Sequence, residues 1–446
     1  MPHHTVAVVG GGLAGCECAW QLARRDVGVT VFEMRPGRST PAHTGAGLAE
    51  LVCSNSLRSD LPDTAVGCLK AEMRRAGSLV MAAAEATRVP AGKALAVDRA
   101  LFSEQMTRAV EDHPAISVRR QEMTALDDLA LAGFDAVVLA AGPLASDALA
   151  ADLARVVGGQ SLYFYDAIAP IIEADSVDMD KAYWGSRYRP EDDDYLNCPM
   201  DEAQYRAFLD ALLAAEKVQP REFEREMHFE GCLPIEVMAE RGDKTLLFGP
   251  LKPVGLADPR TGAQAHAVVQ LRAENRARTR FNMVGFQTKL TYPEQRRVFR
   301  MIPGLEHAEF ERLGSIHRNT YVNAPQALSQ ALELRARPGV YLAGQITGVE
   351  GYVESAACGL WLGLSLAARL AGREVPPAPV ESALGALLGH LRTPAKSFQP
   401  SNVQFGLMPE LGVRAGKRRR MELYAARAEK AFGAYLDTHF PGEVAP

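Results

Sequence analysis

The sequence predicts an α/β protein in which a Rossmann-like domain with a parallel sheet receives an inserted α+β domain. Three observations carry this prediction. A glycine-rich loop follows an apolar run near the amino terminus, a second apolar run ends in an acid, and two further apolar runs lie far along the chain. Such runs are typical of strands buried on both faces of a parallel sheet, and a glycine-rich turn between strand and helix is typical of a dinucleotide site.

The first element is a strand at residues 5–9, rich in valine, which leads into a G-x-G-x-x-G loop. Gly10 permits the tight turn, Gly12 lets the backbone approach a pyrophosphate, and Gly15 allows the next helix to pack closely on the strand. A helix over residues 13–25 then directs its amino-terminal N–H groups at the phosphates. The predicted cofactor contacts in this stretch are Gly10, Gly11, Gly12, Leu13, Ala14 and Gly15.

The second strand, at residues 29–32, ends at Glu33, which lies 23 positions after Gly10. A carboxylate there accepts hydrogen bonds from both ribose hydroxyls and repels a ribose phosphate, which favours FAD or NAD over NADP. The alternative is a glycine-rich turn in an ordinary α/β protein, against which the complete order of strand, loop, helix, strand and acid argues. Residues 45–50 imitate the loop but carry Glu50 at the third glycine position, so they predict an ordinary loop.

Two later runs favour FAD over NAD. The run at 134–142 ends in Ala141 and Gly142, and the run at 340–344 ends in Gly344, so both predict buried strands that pass close to a ligand. Gln345 then stands where two-dinucleotide flavoproteins usually carry an aspartate at the ribityl chain, and it can still hydrogen-bond a hydroxyl. A helix is expected over 354–370. The predicted fold is therefore a Rossmann-like FAD-binding domain of the glutathione-reductase-like kind.

The first and last of these strands must share one sheet, which makes the middle of the chain an insertion. The predicted division is an FAD-binding domain of residues 1–160 and 325–446 and an insertion domain of residues 161–324. Alternating runs at 163–172 and 244–248 predict strands in the insertion, and 202–217 predicts a helix.

Composition limits the class of protein further. With 446 residues, 47% hydrophobic and 23% charged, the chain is expected to be soluble and globular, without a membrane span or a signal peptide, and cytoplasmic. A net charge of −5 argues against indiscriminate nucleic-acid binding, yet the stretches 272–300 and 414–420 are locally basic. Such density suits phosphate contacts, and a solvated helix face is the alternative.

Seven cysteines without a C-x-x-C pair argue against a disulfide framework and a zinc site, so no metal is predicted. Any one cysteine is more often a small buried hydrophobe than a nucleophile.

Long composite motifs carry a resemblance to a known family. They are the segments 10–15, 32–36, 40–43, 52–57, 94–99, 178–184, 229–236 and 344–352. On these residues the chain resembles the glucose-inhibited-division flavoprotein superfamily, and within it the folate- and FAD-dependent tRNA uracil-5-methyltransferases. Larger relatives carry an additional helical carboxyl-terminal domain, for which too few residues remain after the last FAD strand.

The resemblance implies an activity and its cofactors. NADH or NADPH would reduce FAD, methylenetetrahydrofolate would supply a one-carbon unit, and a uridine in the T-arm of tRNA would become ribothymidine. Uracil C5 reacts only after a soft nucleophile has added to C6, which suits a thiolate. The functional cysteines of the family fall on Cys53 and Cys232.

We assign the C6 attack to Cys232, in a turn between Gly231 and Pro234. Cys53 is expected near the flavin, as protector of a flavin adduct, proton shuttle or second nucleophile. Arg35 and Tyr352 join the expected cofactor contacts. Tyr352 is the candidate for stacking on the isoalloxazine or pterin ring, with a core aromatic as the alternative.

Three other functions stay open at this point: the same chemistry on a ribosomal RNA uridine, a plain FAD oxidoreductase, and a noncatalytic FAD-containing RNA-binding protein. The missing C-x-x-C pair and the absence of a second dinucleotide fingerprint argue against the oxidoreductase. The sequence does not indicate an oligomeric state.

Overall fold

The computed structural model describes residues 3–40, 42–158, 162–189, 191–218, 233–395 and 398–442. Its strands are β1 (His4–Val9), β2 (Val27–Phe32), β3 (Ser56–Ser59), β4 (Arg88–Val89), β5 (Ala94–Val97), β6 (Ile116–Arg119), β7 (Ala136–Leu139), β8 (Leu162–Ala167), β9 (Ile171–Glu173), β10 (Tyr183–Trp184), β11 (Tyr195–Met200), β12 (Ala267–Ala273), β13 (Arg280–Met283), β14 (Phe310–Arg312), β15 (Ile316–Tyr321) and β16 (Val340–Leu342). Its helices are α1 (Leu13–Ala23), α2 (Ala65–Arg75), α3 (Leu79–Ala86), α4 (Arg99–Glu111), α5 (Asp147–Val156), α6 (Glu202–Ala214), α7 (Ile235–Ala239), α8 (Thr245–Phe248), α9 (Tyr292–Phe299), α10 (Ala324–Ala327), α11 (Tyr352–Leu370), α12 (Ala383–His390) and α13 (Lys417–His439).

A five-stranded parallel sheet of order β16-β7-β1-β2-β6 forms the framework for the cofactor site. β1 pairs in register with β2 on one side and with β7 on the other, and β16 pairs with β7. The valines of β1 are buried because α1 covers the sheet, and α11 packs in turn against α1. The predicted Rossmann-like α/β fold is confirmed, and β16 brings a late part of the chain into the same sheet as the first strand, with β7 between them.

The glycine-rich loop fits its turn for steric reasons. Gly10 has a φ of +107°, a conformation that residues with a Cβ rarely adopt, and a Cβ there would lie 2.4 Å from the carbonyl oxygen of Ala140. A Cβ on Gly15 would lie 1.9 Å from the carbonyl oxygen of Gly10. These close approaches let α1 begin directly above the end of β1.

A second sheet is formed by residues between β7 and β16. Its six strands have the order β10-β11-β12-β13-β9-β14 and pair antiparallel, and its apolar face packs with α6 and α9 in a separate hydrophobic core. β8 and β15 pair with each other as a two-stranded ribbon. The two sheets show which strands belong together, but they do not define a boundary residue. The domain limits at 160 and 325 therefore stay a prediction.

Two predicted strands of the insertion differ in the structure. Residues 244–248 were expected to be a strand, but α8 occupies 245–248, because the short run buries Leu246 and leaves Phe248 exposed, a pattern that a single helical turn satisfies. The run 163–172 divides into β8 and β9, which belong to different sheets. Pro170 lies between them and has no N–H to continue a strand ladder.

Helix α11 is long and apolar enough to span a bilayer by length and composition. However, 83% of its most apolar window is buried inside the protein, where it packs against α1. The core position explains its apolar sequence.

Candidate active site

A cleft of about 1020 Å³ runs along the carboxyl ends of β1, β2, β7 and β16. Open α/β sheets bind ligands at this edge. The predicted cofactor residues that line it are Gly10, Gly12, Leu13, Ala14, Glu33, Arg35, Ala141, Gly142, Gly344, Gln345 and Tyr352. Gly11 and Gly15 lie behind this surface.

The end of the cleft formed by residues 10–15 and Glu33 is called the glycine-loop end below. A Cβ on Gly12 would meet nothing within 4 Å, so the loop leaves open space where a phosphate would approach the backbone. Gly11 was predicted to contact the cofactor. In the structure its N–H instead donates to Glu33 Oε2 at 2.9 Å. The open cradle and the acid beside it fit the adenosine diphosphate part of a dinucleotide.

Glu33 is held by Arg35. Arg35 donates to the Glu33 carboxylate from its backbone N–H at 2.9 Å and from Nε at 3.0 Å, and its Nη1 pairs with Glu50 at 2.9 Å. Burial acts to raise the pKa of the Glu33 carboxyl, but the hydrogen bonds and charge of Arg35 outweigh it and lower that pKa. Glu33 is therefore ionised at neutral pH and ready to accept hydrogen bonds from a ribose.

A second part of the cleft, called the thiol end, is lined by Val52 and Tyr352, and Cys53 lies beside it in contact with Tyr352. Tyr352 begins α11, and its hydroxyl oxygen lies 2.7 Å from the backbone nitrogen of Cys53 and 2.9 Å from its Sγ. The backbone N–H of Ser54 donates to the same oxygen at 3.3 Å. Tyr352 was expected to stack on a ring; the structure adds that its hydroxyl anchors the Cys53 loop while its side chain lines the cleft.

Three arginines from distant parts of the chain hold the same loop. Arg99 at the start of α4 donates to the carbonyl oxygens of Leu51 and Val52, and Arg312 on β14 donates to the carbonyl oxygen of Val52 at 2.7 Å. Arg272 on β12 donates to Ser54 Oγ and to Asn55 Oδ1, both at 2.8 Å. The loop thus joins the parallel sheet to the second sheet.

Sequence reasoning missed the positions of these arginines. Arg99 lies within a motif quoted for the family resemblance, but its two bonds to Glu274 at 2.9 and 3.0 Å join residues 175 positions apart. Arg272 was counted in a basic stretch suited to phosphate contacts, yet its side chain is buried. No spacing pattern in the sequence signals such contacts, because they arise only when the two sheets meet.

The basic stretch 272–300 does not form one exposed face. Besides buried Arg272, Arg278 pairs with Asp193 and stacks over Trp184, and Arg297 pairs with Glu294. The stretch 414–420 differs, because its basic residues are exposed at the start of α13. The structure therefore supports the second stretch, and not the first, as a continuous basic surface.

Cys53 is a neutral thiol in this environment. Burial raises the pKa of the thiol to about 12, the charge of Asp166 adds to the rise, and the Tyr352 hydrogen bond and Arg99 oppose it. The other cysteines that the structure describes are fully buried, and none of the described cysteines forms a disulfide. Cys232 lies outside the described residues, as does the first half of its motif at 229–236.

Buried carboxyl groups surround the last strand of the cleft. Gln345 was expected to reach a ribityl hydroxyl, and here its amide donates to Glu350 Oε2 at 2.6 Å. Burial and the charge of Asp166 raise the pKa of Glu350 well above its ordinary value. Glu354 accepts from Arg58 and from the backbone N–H of Val403, while its Oε2 has no partner among the described residues. The thiol end therefore holds proton donors as well as a thiol.

Metal ligation is not indicated in the part of the chain that the structure describes, where no group of three His, Cys, Asp or Glu residues is arranged to hold an ion.

Comparisons with known proteins agree with this geometry. The family model described as glucose inhibited division protein A matches residues 5–374. A protein of Oleidesulfovibrio alaskensis is 65% identical over 96% of both chains, and one of Geobacter sulfurreducens is 59% identical over 97% of this chain and 99% of its own. Both bear the name methylenetetrahydrofolate–tRNA-(uracil-5-)-methyltransferase TrmFO.

A solved structure shares the fold. Aquifex aeolicus GidA, in its form II crystal, superposes with a TM-score of 0.67 over 97% of this chain and 74% of that chain. At 17% identity this likeness concerns the fold alone.

Proposed function

The chain belongs to the glucose inhibited division protein A family, and from that premise we propose that it is a folate- and FAD-dependent tRNA (uracil-5-)-methyltransferase. It transfers a one-carbon unit from methylenetetrahydrofolate to C5 of a uracil in tRNA. The observation that carries this conclusion is the high identity, over nearly the whole of both chains, to relatives that bear this name. The earlier alternatives are not favoured by these relatives.

Finer features of the reaction are part of the proposal. The substrate is the T-loop uridine, the product is ribothymidine, the reductant is NADH or NADPH, and the enzyme works in the cytoplasm. The exposed basic residues at 414–420 are available for tRNA phosphates, which bind to local clusters of lysine and arginine.

FAD fits the cleft, and the chain offers it a distinct contact at each end. At the glycine-loop end, Gly12 leaves room for the pyrophosphate and ionised Glu33 accepts from the adenosine ribose. Gly344 lines the cleft next to the glycine loop, since a Cβ there would lie 2.6 Å from the Cβ of Ala14, and Gln345 and Tyr352 line the cleft as well. When bound, FAD would carry the one-carbon unit and would supply the hydride that completes the methyl group.

Cys53 and Cys232 are proposed as the two catalytic thiols. The sequence gives the attack on uracil C6 to Cys232, and the position of Cys53 supports a second candidate for that step. Val52 lines the cleft directly before Cys53, and Arg99, Arg272 and Arg312 all lie close enough to favour a thiolate. A thiolate adding to C6 makes C5 nucleophilic, and removal of the C5 proton precedes release of the thiol.

Tyr352 and the arginines serve Cys53 in this scheme. Because the phenol oxygen accepts from the Cys53 backbone and thiol, it fixes the direction of Sγ. After deprotonation the phenol O–H is free to donate to the thiolate instead, which lowers the cost of forming that anion in a buried place. Arg99 and Arg312 both donate to the carbonyl oxygen of Val52 and so hold the backbone next to Cys53 in place.

The proposal is tested with labelled methylenetetrahydrofolate, a reductant and unmodified transcripts of tRNA and ribosomal RNA. We expect label in tRNA uracil and none in ribosomal RNA. Label in ribosomal RNA alone would move the proposal to that substrate, and oxidation of NADPH without any labelled RNA would replace it by a plain oxidoreductase.

The thiol assignment has its own test, which is trapping with 5-fluorouridine tRNA. This analogue cannot lose a proton from C5, so the covalent adduct persists. Loss of the adduct in Cys232→Ala supports the sequence assignment. An adduct that persists in Cys232→Ala and disappears in Cys53→Ala gives the attack to Cys53 and leaves proton transfer to Cys232.

A further inference from the structure

A second cavity, of about 640 Å³, lies between the loop at 42–43 and the second sheet. Residues that line it include Ala42, Tyr292, Arg296, Glu311, Arg312 and Ser315. None of these belongs to the cofactor contacts or to the catalytic thiols described above. We call it the side cavity.

The side cavity adjoins the cofactor cleft through shared wall segments. Ala42 lines the side cavity, and its neighbour His43 lines the cleft. Val52 lines the cleft, and its carbonyl oxygen accepts from Arg312, which lines the side cavity. A ligand held at the thiol end therefore has the side cavity as a neighbouring compartment.

The cavity carries a positive charge that nearby acids do not balance. Its one lining carboxylate, Glu311, is already paired with Arg280 at 2.9 Å. Glu294, on the same helix as Arg296, is paired with Arg297. Arg296 is exposed and lines the side cavity, so an anion in the cavity would contact the guanidinium groups of Arg296 and Arg312.

Arg312 provides an independent sign of a missing ligand. Its Nη2 reaches Val52, but its Nε is buried without a hydrogen-bond partner among the residues that the structure describes. Burial lowers the pKa of Arg312, and the nearby charge of Arg99 lowers it further, yet a guanidinium stays protonated in proteins. A buried cationic donor without an acceptor is costly, and an oxyanion would satisfy it.

An aromatic side chain completes the cavity. Tyr292 is 55% exposed at the start of α9, an unusual position for a large ring. Pro293 follows it and fixes the backbone of the first helical turn. A flat ring of a ligand can stack on Tyr292 while its charged groups reach the arginines.

We propose that the side cavity binds the aminobenzoylglutamate end of methylenetetrahydrofolate. Tyr292 contacts the aminobenzoyl ring, and Arg296 and Arg312 bind the glutamate carboxylates. This inference rests on the proposed function, because it takes folate as the co-substrate. RNA phosphate has the same oxyanion chemistry, so the experiment separates the two sources.

The experiment uses the FAD-loaded, full-length enzyme and the variants Arg296→Ala and Tyr292→Ala. Arg297→Ala is the matched control, since it removes an exposed arginine of the same helix that pairs with Glu294. KM is measured for methylenetetrahydrofolate at saturating tRNA and for tRNA at saturating folate. Direct binding of tetrahydrofolate and of p-aminobenzoylglutamate is measured by calorimetry.

We expect Arg296→Ala and Tyr292→Ala each to raise KM for methylenetetrahydrofolate and to weaken binding of both folate probes by about tenfold. This is the effect of losing one charge-assisted or stacking contact. KM for tRNA and kcat should change less than about twofold, and Arg297→Ala should match wild type.

Two results would overturn the inference. A rise in KM for tRNA with unchanged folate binding would give the cavity to RNA phosphate, and unchanged values for both substrates would show that the cavity binds neither. Failure of the proposed function would look different, because wild-type enzyme would then place no labelled carbon in tRNA at all.

Discussion

The glycine-loop end and the thiol end of the cofactor cleft are assembled in opposite ways. At the glycine-loop end, the bond between Gly11 and Glu33 spans 22 positions, whereas at the thiol end Cys53 meets Tyr352 across 299. The first end is one supersecondary unit, and the second exists only after two sheets have folded and met. Binding of the cofactor is therefore a local property of the chain, while the reactive site is a property of the whole fold.

The largest effect is expected at the thiol end, where a substitution should abolish catalysis without affecting FAD binding. Cys53→Ala should lower tRNA methylation by at least about 1,000-fold, because a thiol that takes part in covalent chemistry has no substitute. FAD content, read from the flavin absorbance, should stay at the wild-type level because the glycine-loop end is untouched.

Cys68→Ala is the control for Cys53→Ala, since it removes a buried thiol that bonds to Pro62 outside the cleft. Loss of FAD in Cys53→Ala would show that FAD binding depends on the thiol end as well as on the glycine-loop end. Methylation within tenfold of wild type would remove Cys53 from the catalytic groups.

The next effect concerns the glycine-loop end alone. Gly15→Ala places a Cβ 1.9 Å from a carbonyl oxygen, an overpacking that costs about 3 kcal/mol and should weaken FAD binding by about 100-fold. Apoprotein stability, followed by urea unfolding, should fall as well.

Gly12→Ala is the variant to compare with Gly15→Ala, because a Cβ on Gly12 meets no protein atom within 4 Å. It should weaken FAD binding without lowering apoprotein stability, and Gly416→Ala, also in open space, should change neither. Equal losses of stability in the two loop variants would mean that Gly12 has a packing role.

A smaller effect is expected at Tyr352. Tyr352→Phe removes the oxygen that accepts from Cys53 and Ser54, which leaves donors unpaired at a cost of about 1–2 kcal/mol. We expect kcat to fall about tenfold with FAD still bound, measured by single-turnover methylation. An unchanged kcat would show that the hydroxyl does not assist Cys53. Because phenylalanine keeps the ring, the predicted stacking role is tested by Tyr352→Ala, in which loss of FAD would support it.

The smallest effect is a difference in pH dependence between the ends. Because the pKa of the Cys53 thiol is raised to about 12, its alkylation by iodoacetamide should accelerate about tenfold per pH unit from pH 7 to 10. The Tyr352 hydrogen bond lowers that pKa, so Tyr352→Phe should react more slowly at each pH. FAD retention should stay flat over the same range, since the pKa of Glu33 is lowered.

Peptide mass spectrometry resolves Cys53 from the other cysteines in this assay. An alkylation rate that levels off near pH 8 would mean that the arginines, and not burial, control the thiol.

The contrast between the ends explains what could be predicted from the sequence. β1, the glycine loop and Glu33 are recognisable because their residue types and spacing follow from the geometry of one strand, turn and helix. The late strand β16 was also recognisable, since its apolar run ends in Gly344. Each of these features depends on neighbours in the chain.

The remaining features depend on contacts between distant residues. Nothing in the spacing of Arg272 shows that it turns inward to Asn55, and it was read as part of a surface cluster. The motif containing Tyr352 indicated a cofactor contact, but the bond from its hydroxyl to Cys53 required the fold. The five residues 244–248 were too short for their pattern to distinguish strand from helix.

We propose that one FAD molecule spans both ends of the cleft, with its phosphates at Gly12 and its flavin ring beside Cys53. A crystal structure of the enzyme with FAD and tetrahydrofolate tests it most directly. We expect Glu33 to bond to the adenosine ribose and the flavin ring to contact Tyr352. Cys53 Sγ should lie within about 5 Å of the ring, which is the contact distance of a reacting group plus one bond. A flavin ring directed away from Cys53 would contradict it.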